Sequence, residues 1–570
     1  MDRKDANSEF SLLYPEHREL PGKPDRWGMK AIEDLEIEQV AWTLSIDNRY
    51  QNAIKSILLE LCSDIDTIDY RQEVLKDFLD CPAVFSGVKE LLPALVKLHD
   101  YAEAHSTNGP LPEILGRLTE LNTYVSCVCK LKQVLEEAGS GIHSRGLAGL
   151  RLELENLAED ETFQSLKDGL PELLAKLNTV PSITIGLNLN SELQPVEATL
   201  LAIHDKPFRD GTLFDRLLGK KYGQNPEHGI GPLHEVPNLM VEDIASRVVS
   251  IPTRADPMMV PLFRDLYDIL RTMLTPIARE LKQYSQVNTR LLIQLETEFA
   301  FYLGAIAFIK QMQAEGLPVC CPEAAPTEER VGSIQGLYNL ILALRQIESG
   351  PGSAAGTIVL NDVDFGPSGR IFILTGPNQG GKTVYTQAIG LAQVLFQAGL
   401  YIPAQAARIS PVDGIYTQFA ALEKTEQGMG RLAEEALRLN EIFHSISKKS
   451  LVLLNESLSS TSPGESLYLA RDIVQALKIF GVRAIYATHL HALAEDLDSF
   501  NADERGDSQV VSLVAGVALE GDKEDSLDDF APCTYRIKPG PPRGLSYAKG
   551  IAVRYGISLE QLTEYWSEQH

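Results

Sequence analysis

The chain has 570 residues, 44% hydrophobic and 23% charged, too long for a single core and too apolar for wholesale disorder, so about two to four domains are expected. A formal net charge of −26 excludes a surface that is basic all over, and contact with nucleic acid has to come from a local patch. The start, "MDRKDANSEFSLL", lacks the apolar centre of a signal peptide, and the longest apolar run, "FAFYLGAIAFI" at 299–309, is too short to cross a bilayer. Seven cysteines without paired CxxC sets suit free thiols, so a cytosolic protein without structural zinc or a membrane partner is expected.

After a short extension (1–29), apolar residues recur at helical spacing from 30 to about 180, as in "FSGVKELLPALVKLHDYAEA". Between 181 and 252 the texture changes. "SITIGLNLNSELQPVEATLLAI" alternates like two strands, and "GKKYGQNPEHGIGPLHEVPN" is rich in Gly and Pro, which predicts a small β-containing insertion. In the next part (253–350), Ile277, Leu281, Tyr284, Leu291, Leu295 and Tyr302 fall at steps of three, four or seven. A single helix to about Glu315 would run roughly 60 Å, a lever or coiled-coil arm; two ordinary helices broken at a turn are the competing reading. "LPVCCPEAAP" and "SGPGSAAG" mark a connector.

From 351 to 570 short β-rich runs alternate with helical stretches: "RIFILT", "KTVYTQAIGLAQVLFQAG", "SLVLLN", "GESLYLARDIVQALKIFG" and "VRAIYATH". This predicts a parallel sheet flanked by helices, with the ligand at the C-terminal strand ends. "GPNQGGKT" (Gly376, Pro377, Asn378, Gln379, Gly380, Gly381, Lys382, Thr383) matches the phosphate-loop pattern and stands between a strand and a helix, the context the pattern requires. Its glycines let backbone N–H groups face phosphates, Lys382 neutralises the β and γ oxygens of ATP, and the Thr383 hydroxyl is placed for Mg²⁺. Glu456, after the strand "SLVLL", is placed to orient a water for attack on the γ-phosphate, with a solvated strand-end Glu as the competing reading. His489 in "ATHLHAL" ends another strand and is a candidate γ-phosphate sensor, or else an ordinary satisfied histidine. His491 lacks the third ligand that an H-x-H metal pair needs.

Together "TGPNQGGKT", "AGLYIPAQAARISPVDGIYTQ" (398–418), "SLVLLNESLSSTS" (450–462), "ATH" and "RGLSYAKGIAVRYGIS" (543–558) resemble the ATPase domain of the MutS family of DNA mismatch-repair and recombination proteins. The resemblance implies an ABC-like α/β P-loop NTPase domain, preceded by a mostly α-helical core and lever with a clamp-like insertion at 181–252. It implies ATP and Mg²⁺ as cofactors, a homodimer with composite sites in which Thr461 and Ser462 approach the partner's nucleotide, and double-stranded or branched DNA as ligand. A repair or recombination protein partner and a cytoplasmic, nucleoid-associated setting follow from the same resemblance. The residues before position 30 hold no Phe-x-Glu wedge, so direct mismatch reading is not expected.

Three positions depart from the family pattern. The Gly-Arg-Ser-Thr segment is here only "GRLA" (430–433), the C-terminal helical extension is not complete by His570, and Asn455 stands where the family carries Asp beside Mg²⁺. Losing that charge is expected to weaken metal binding about 10 to 100-fold and to slow hydrolysis while Glu456 remains. Lys206, Arg209, Arg216, Lys220 and Lys221 in "HDKPFRDGTLFDRLLGKK" are candidate DNA-phosphate contacts, or equally a solvated loop. The leading expectation is a weakly hydrolysing, ATP-gated DNA clamp. The alternative, favoured by Asn455 and by the acidic "GDKEDSLDDF" (521–530), is a non-hydrolysing nucleotide-switched scaffold for a protein partner.

Overall fold

The structure, a computed structural model, describes residues 10–15, 27–28, 30–104, 110–177, 182–204, 206–208, 274–285, 287–350, 356–377, 380–419, 431–458, 461–517, 533–542 and 556–569. It divides into two compact units, one made of 81–142 and 148–299, the other of 1–80, 143–147 and 300–570.

In the first unit the helices Pro82–Ala104 and Pro110–Ala138 pack on each other. Val84, Val88, Leu91, Leu95 and Leu98 recur at alternating steps of four and three, as do Leu121, Tyr124, Val128, Leu131 and Leu135, and all ten are buried. That spacing makes a narrow seam on each helix, so two seams close on one another. Gly87 lies against Val134, where an added Cβ would come within 2.5 Å of the valine Cγ2. The start of one helix therefore meets the end of the other, and the pair is antiparallel. Strands β1 (Ser182–Leu189) and β2 (Pro195–His204) form an antiparallel hairpin at the place where the sequence predicted two strands.

The single helix expected to run to Glu315 is corrected. A helical segment over 274–281 passes into a 3₁₀ turn at Lys282–Tyr284, and a new helix begins at Arg290 and ends at Ala314. The cause lies far away in sequence. Arg117 Nη2 donates to the carbonyls of Tyr284 and Val287 at 3.1 and 3.2 Å, taking acceptors that a continuous helix would have filled. Thr289 Oγ1 donates to the buried Glu120, and Asn288 Oδ1 accepts from the Arg290 N–H, which starts the second helix. At about 1.5 Å per residue the Arg290–Ala314 helix is roughly 37 Å long. By length and apolarity it is also able to cross a membrane, unlike the shorter run noted in the sequence, but 78% of its most apolar window is buried inside the protein.

The second unit holds the mixed helix and sheet part. Strands β3 (Glu323–Ala324), β4 (Gly332–Leu337), β5 (Asn361–Phe365) and β7 (Ala406–Ile409) form a small sheet in the order β3-β7-β4-β5. Strands β6 (Ile371–Thr375), β8 (Ile415–Gln418), β9 (Leu451–Asn455), β10 (Arg483–Ala487), β11 (Val510–Val517) and β12 (Cys533–Pro539) form the main sheet in the order β12-β11-β6-β10-β9-β8, parallel except for β12. Strands β6, β9 and β10 are apolar on both faces, as strands covered by helices on both sides must be. The helix Lys382–Gln397 is buried for nearly its whole length. Its Gln387 and Gln397 donate to the carbonyls of Asp34 and Cys62, while Asp34 also accepts from Thr417 and Arg438. These contacts group 30–80 with the sheet, although its helical periodicity alone associates it with the helical part.

Candidate functional site

The phosphate loop leaves β6 and enters the Lys382–Gln397 helix. Gly376 has φ 147°, and a Cβ there would come within 2.6 Å of the Ala515 Cβ on β11. Gly381 has φ 87° and caps the helix in the left-handed region. Only glycine serves both positions without strain. Lys382, 4% exposed, donates from Nζ to the carbonyls of Gly376 and Pro377 at 2.9 and 3.0 Å. Burial depresses its pKa, against the pull of the nearby Glu456 carboxylate. Asn378 and Gln379 lie outside the described residues.

Two neighbouring strands deliver the other candidates. Asn455 ends β9, and its Oδ1 accepts from the Thr383 hydroxyl at 3.3 Å. Glu456 follows with φ 55°, an uncommon conformation for a non-glycine residue, held by its N–H donating to the Ala487 carbonyl at 2.8 Å. That turn aims the carboxylate at the end of β10, where Glu456 Oε1 and His489 Nε2 are 2.7 Å apart. The hydrogen bond from His489 holds the Glu456 carboxyl below the usual range, outweighing partial burial. Lys382, Thr383, Asn455, Glu456 and His489 thus come together at the C-terminal ends of β6, β9 and β10.

Thr461 and Ser462 make a different arrangement. Their hydroxyls donate to Glu465 Oε2 at 2.6 and 2.9 Å, and Ser462 Oγ accepts from the Glu465 N–H. With Pro463 in the first turn, this is a capping box that starts the helix Pro463–Phe480. Lys206 is exposed beyond the end of β2, while Arg209, Arg216, Lys220 and Lys221 lie outside the described residues. His491 stands apart from any metal cluster, and among the described residues no group of three or more His, Cys, Asp or Glu forms one.

Beside the phosphate loop lies a cavity of about 390 Å³, whose lining includes Gly381, Lys382, Thr383 and Glu456 together with Thr357, Ile358, Val359, Asn361 and Tyr535. Sequence reasoning missed the last five. Nothing in "TIVLN" or "CTYRIKP" marks a ligand, and β5 and β12 meet only because the two sheets fold against each other.

Two family models match the chain: the MutS2 N-terminal domain over residues 63–315 and MutS domain V over 372–520. The chain belongs to the MutS family. Among MutS relatives, the DNA mismatch repair protein MutS of Caldanaerobacter subterraneus subsp. tengcongensis is 33% identical over 138 residues, 24% of this chain and 16% of the relative. Endonuclease MutS2 of Thermus thermophilus is 30% identical over 204 residues, 36% of this chain and 25% of the relative. The DNA mismatch repair protein MutS of Prochlorococcus marinus is 30% identical over 192 residues, 34% of this chain and 20% of the relative. Each match spans a quarter or less of the MutS relative's own length. The MutS domain V match covers β6, the phosphate loop, β9 and β10, the elements that carry the convergent residues.

Proposed function

We propose that this MutS-family chain binds ATP with Mg²⁺, hydrolyses it slowly, and uses nucleotide occupancy to gate a DNA clamp in mismatch repair or recombination. The observation that carries this reading is the convergence of Lys382, Thr383, Asn455, Glu456 and His489 at the ends of three adjacent parallel strands. The Lys382 ammonium is buried with two main-chain carbonyls as partners, which phosphate oxygens would replace as stronger, charged acceptors. The Thr383 hydroxyl and the Asn455 amide oxygen are 3.3 Å apart, an oxygen pair of the hard type that suits Mg²⁺ but supplies no negative charge. Thr383 and Asn455 would hold the ion, which when bound neutralises charge on the transferring phosphoryl group. Glu456 then orients and deprotonates the attacking water once it turns from His489, and His489 is left to contact the γ-phosphate.

Duplex or branched DNA is the proposed ligand of the helical unit and its β1–β2 hairpin, with Lys206, Arg209, Arg216, Lys220 and Lys221 as phosphate contacts. A homodimer in which Thr461 and Ser462 reach the partner's nucleotide completes the reading. The neutral Asn455 and the closed Glu456–His489 pair favour a second reading, a nucleotide-switched scaffold that does not hydrolyse ATP. One experiment separates them. ATP hydrolysis and binding to homoduplex, mismatched and four-way-junction DNA are measured with and without ATP across a salt series. The clamp reading requires turnover above a Lys382→Ala control and ATP-dependent DNA binding that falls steeply with salt. ATP binding without either result would transfer the conclusion to the scaffold.

A further inference from the structure

Strand β5 is the last of the order β3-β7-β4-β5, so its outer edge has no strand beside it. Which of its backbone groups face that edge follows from β4. The carbonyls of Val331 and Gln335 accept from the N–H groups of Ser410 and Gln405, on the β7 side. Successive residues of a strand turn these groups to alternate sides, so Gly332 and Ile334 turn theirs to β5, where their partners are Phe365 and Val363. Asp362 and Asp364 then present their backbone to the outer edge. The Tyr385 hydroxyl agrees with that sense, donating to the Asp362 carbonyl at 2.8 Å. The N–H and C=O of Asp364 are left with no strand to pair with.

This edge borders a second cavity of about 390 Å³, whose lining contains no residue of the phosphate loop. Strand β12 also reaches it, but its edge is already occupied at the bulge where Thr534, Tyr535 and Arg536 oppose the single Gly516. Asn361 Nδ2 donates to the Tyr535 carbonyl at 3.0 Å, Asn361 Oδ1 accepts from the Ile537 N–H at 2.7 Å, and Pro539 has no N–H to offer. The lining carries both signs of charge: Asp362 and Asp364 come from β5, Arg536 and Lys538 from β12, and all four are exposed. Asp362 Oδ1 accepts from the Gly336 N–H, whereas Asp364, Arg536 and Lys538 form no ion pair among the described residues. Phe372 and Leu513 add an apolar surface. Carboxylates alone would blunt the edge against other strands. Uncommitted cations in the same cavity make it selective instead, for a strand that brings both charges.

We propose that β5 is a docking edge for an extended peptide of a protein partner. The peptide adds as a strand through the N–H and C=O of Asp364 and carries a basic side chain for Asp364, an apolar one for the cavity and an acidic one for Arg536 and Lys538. The three belong at alternate positions, because only those share a face of a strand. In such docking the main chain gives affinity and the alternate side chains give specificity. The site does not depend on the nucleotide reading.

The probe is a fluorescent peptide with the centre Lys-Val-Leu-Val-Glu, followed by anisotropy on the full chain without nucleotide. It should bind saturably below about 1 mM. Asp364→Lys should weaken it about tenfold, and exchanging the peptide lysine for glutamate should restore the loss. Arg536→Glu combined with Lys538→Glu should weaken it to a similar degree. Asp364→Pro, tolerated at an edge because only an outward N–H is lost, should weaken it more than Asp364→Asn. If Asp364→Pro fails to fold, a peptide N-methylated at its lysine carries the same test on the wild type, with about a tenfold loss. The proposal is overturned by the absence of saturable binding, by charge reversals that leave affinity unchanged, or by an N-methylated peptide that binds like its parent. A light-scattering mass that doubles in the wild type but not in Asp364→Pro would assign the edge to a second copy and overturn it as well.

Discussion

Glu456 and His489, at the ends of the adjacent parallel strands β9 and β10, close on each other at 2.7 Å. The hydrogen bond keeps Glu456 ionised, the state a base requires, but it also occupies the oxygen that would meet the water. Glu456→Gln is therefore expected to lower the ATP turnover rate by about 10² to 10⁴-fold while ATP still binds. Steady-state hydrolysis with equilibrium ATP binding checks it. Equal rates in the wild type and the variant would remove Glu456 from the chemistry.

Asn455 tests the cost of a missing charge. Its Oδ1 is 3.3 Å from the Thr383 hydroxyl, so Asn455→Asp places a carboxylate beside the same oxygen without enlarging the side chain. Mg²⁺ affinity in the ATP complex should rise by about 10 to 100-fold, with faster hydrolysis. A Mg²⁺ titration of the turnover rate reads both effects. No change in either would mean that Asn455 does not face the ion.

The Lys382 ammonium gives a pH dependence whose sign follows from burial. Its pKa lies below that of a free lysine, so the neutral amine appears as pH rises earlier than it does for exposed lysines. Triphosphate binding favours the protonated form and takes up a proton where the free site has lost one. ATP affinity should therefore decline as pH is raised toward the ordinary lysine pKa of about 10.4, with the loss absent in Lys382→Arg, whose guanidinium stays charged. Titrations in buffers of different ionisation enthalpy would report the proton uptake directly. A flat profile would show that the lysine remains charged throughout.

Gly304, on the helix Arg290–Ala314, supplies a prediction of stability alone. A Cβ at that position would stand 1.8 Å from the Leu44 carbonyl oxygen and 2.8 Å from its carbon, both backbone atoms of a helix end that cannot rotate away. Gly304→Ala should cost about 3 kcal/mol, although alanine is the better helix former. The urea midpoint should fall accordingly. A variant as stable as the wild type would mean that the two backbones separate at little cost.

Much of the candidate site was legible in the chain itself, because its chemistry is local. The phosphate loop needs glycines at set offsets between a strand and a helix, so "GPNQGGKT" specifies the loop and places Lys382 and Thr383 with it. The apolar runs around Leu451 and Ala484 predicted buried parallel strands for the same reason: strands covered on both faces show no alternation. The hairpin at 182–204 followed from period-two patterning and its turn residues. What the sequence left open depends on groups far apart along the chain. The expected long helix breaks at 282–289 because Arg117, on another helix, takes the carbonyls of Tyr284 and Val287, and no periodicity within 277–315 records that competitor. Asn361 and Tyr535 carry no motif and are 174 positions apart. Only the packing of the edge strand β5 against a bulge in β12 brings that amide to the backbone of the tyrosine, since a side chain can replace a missing strand only where two sheets meet.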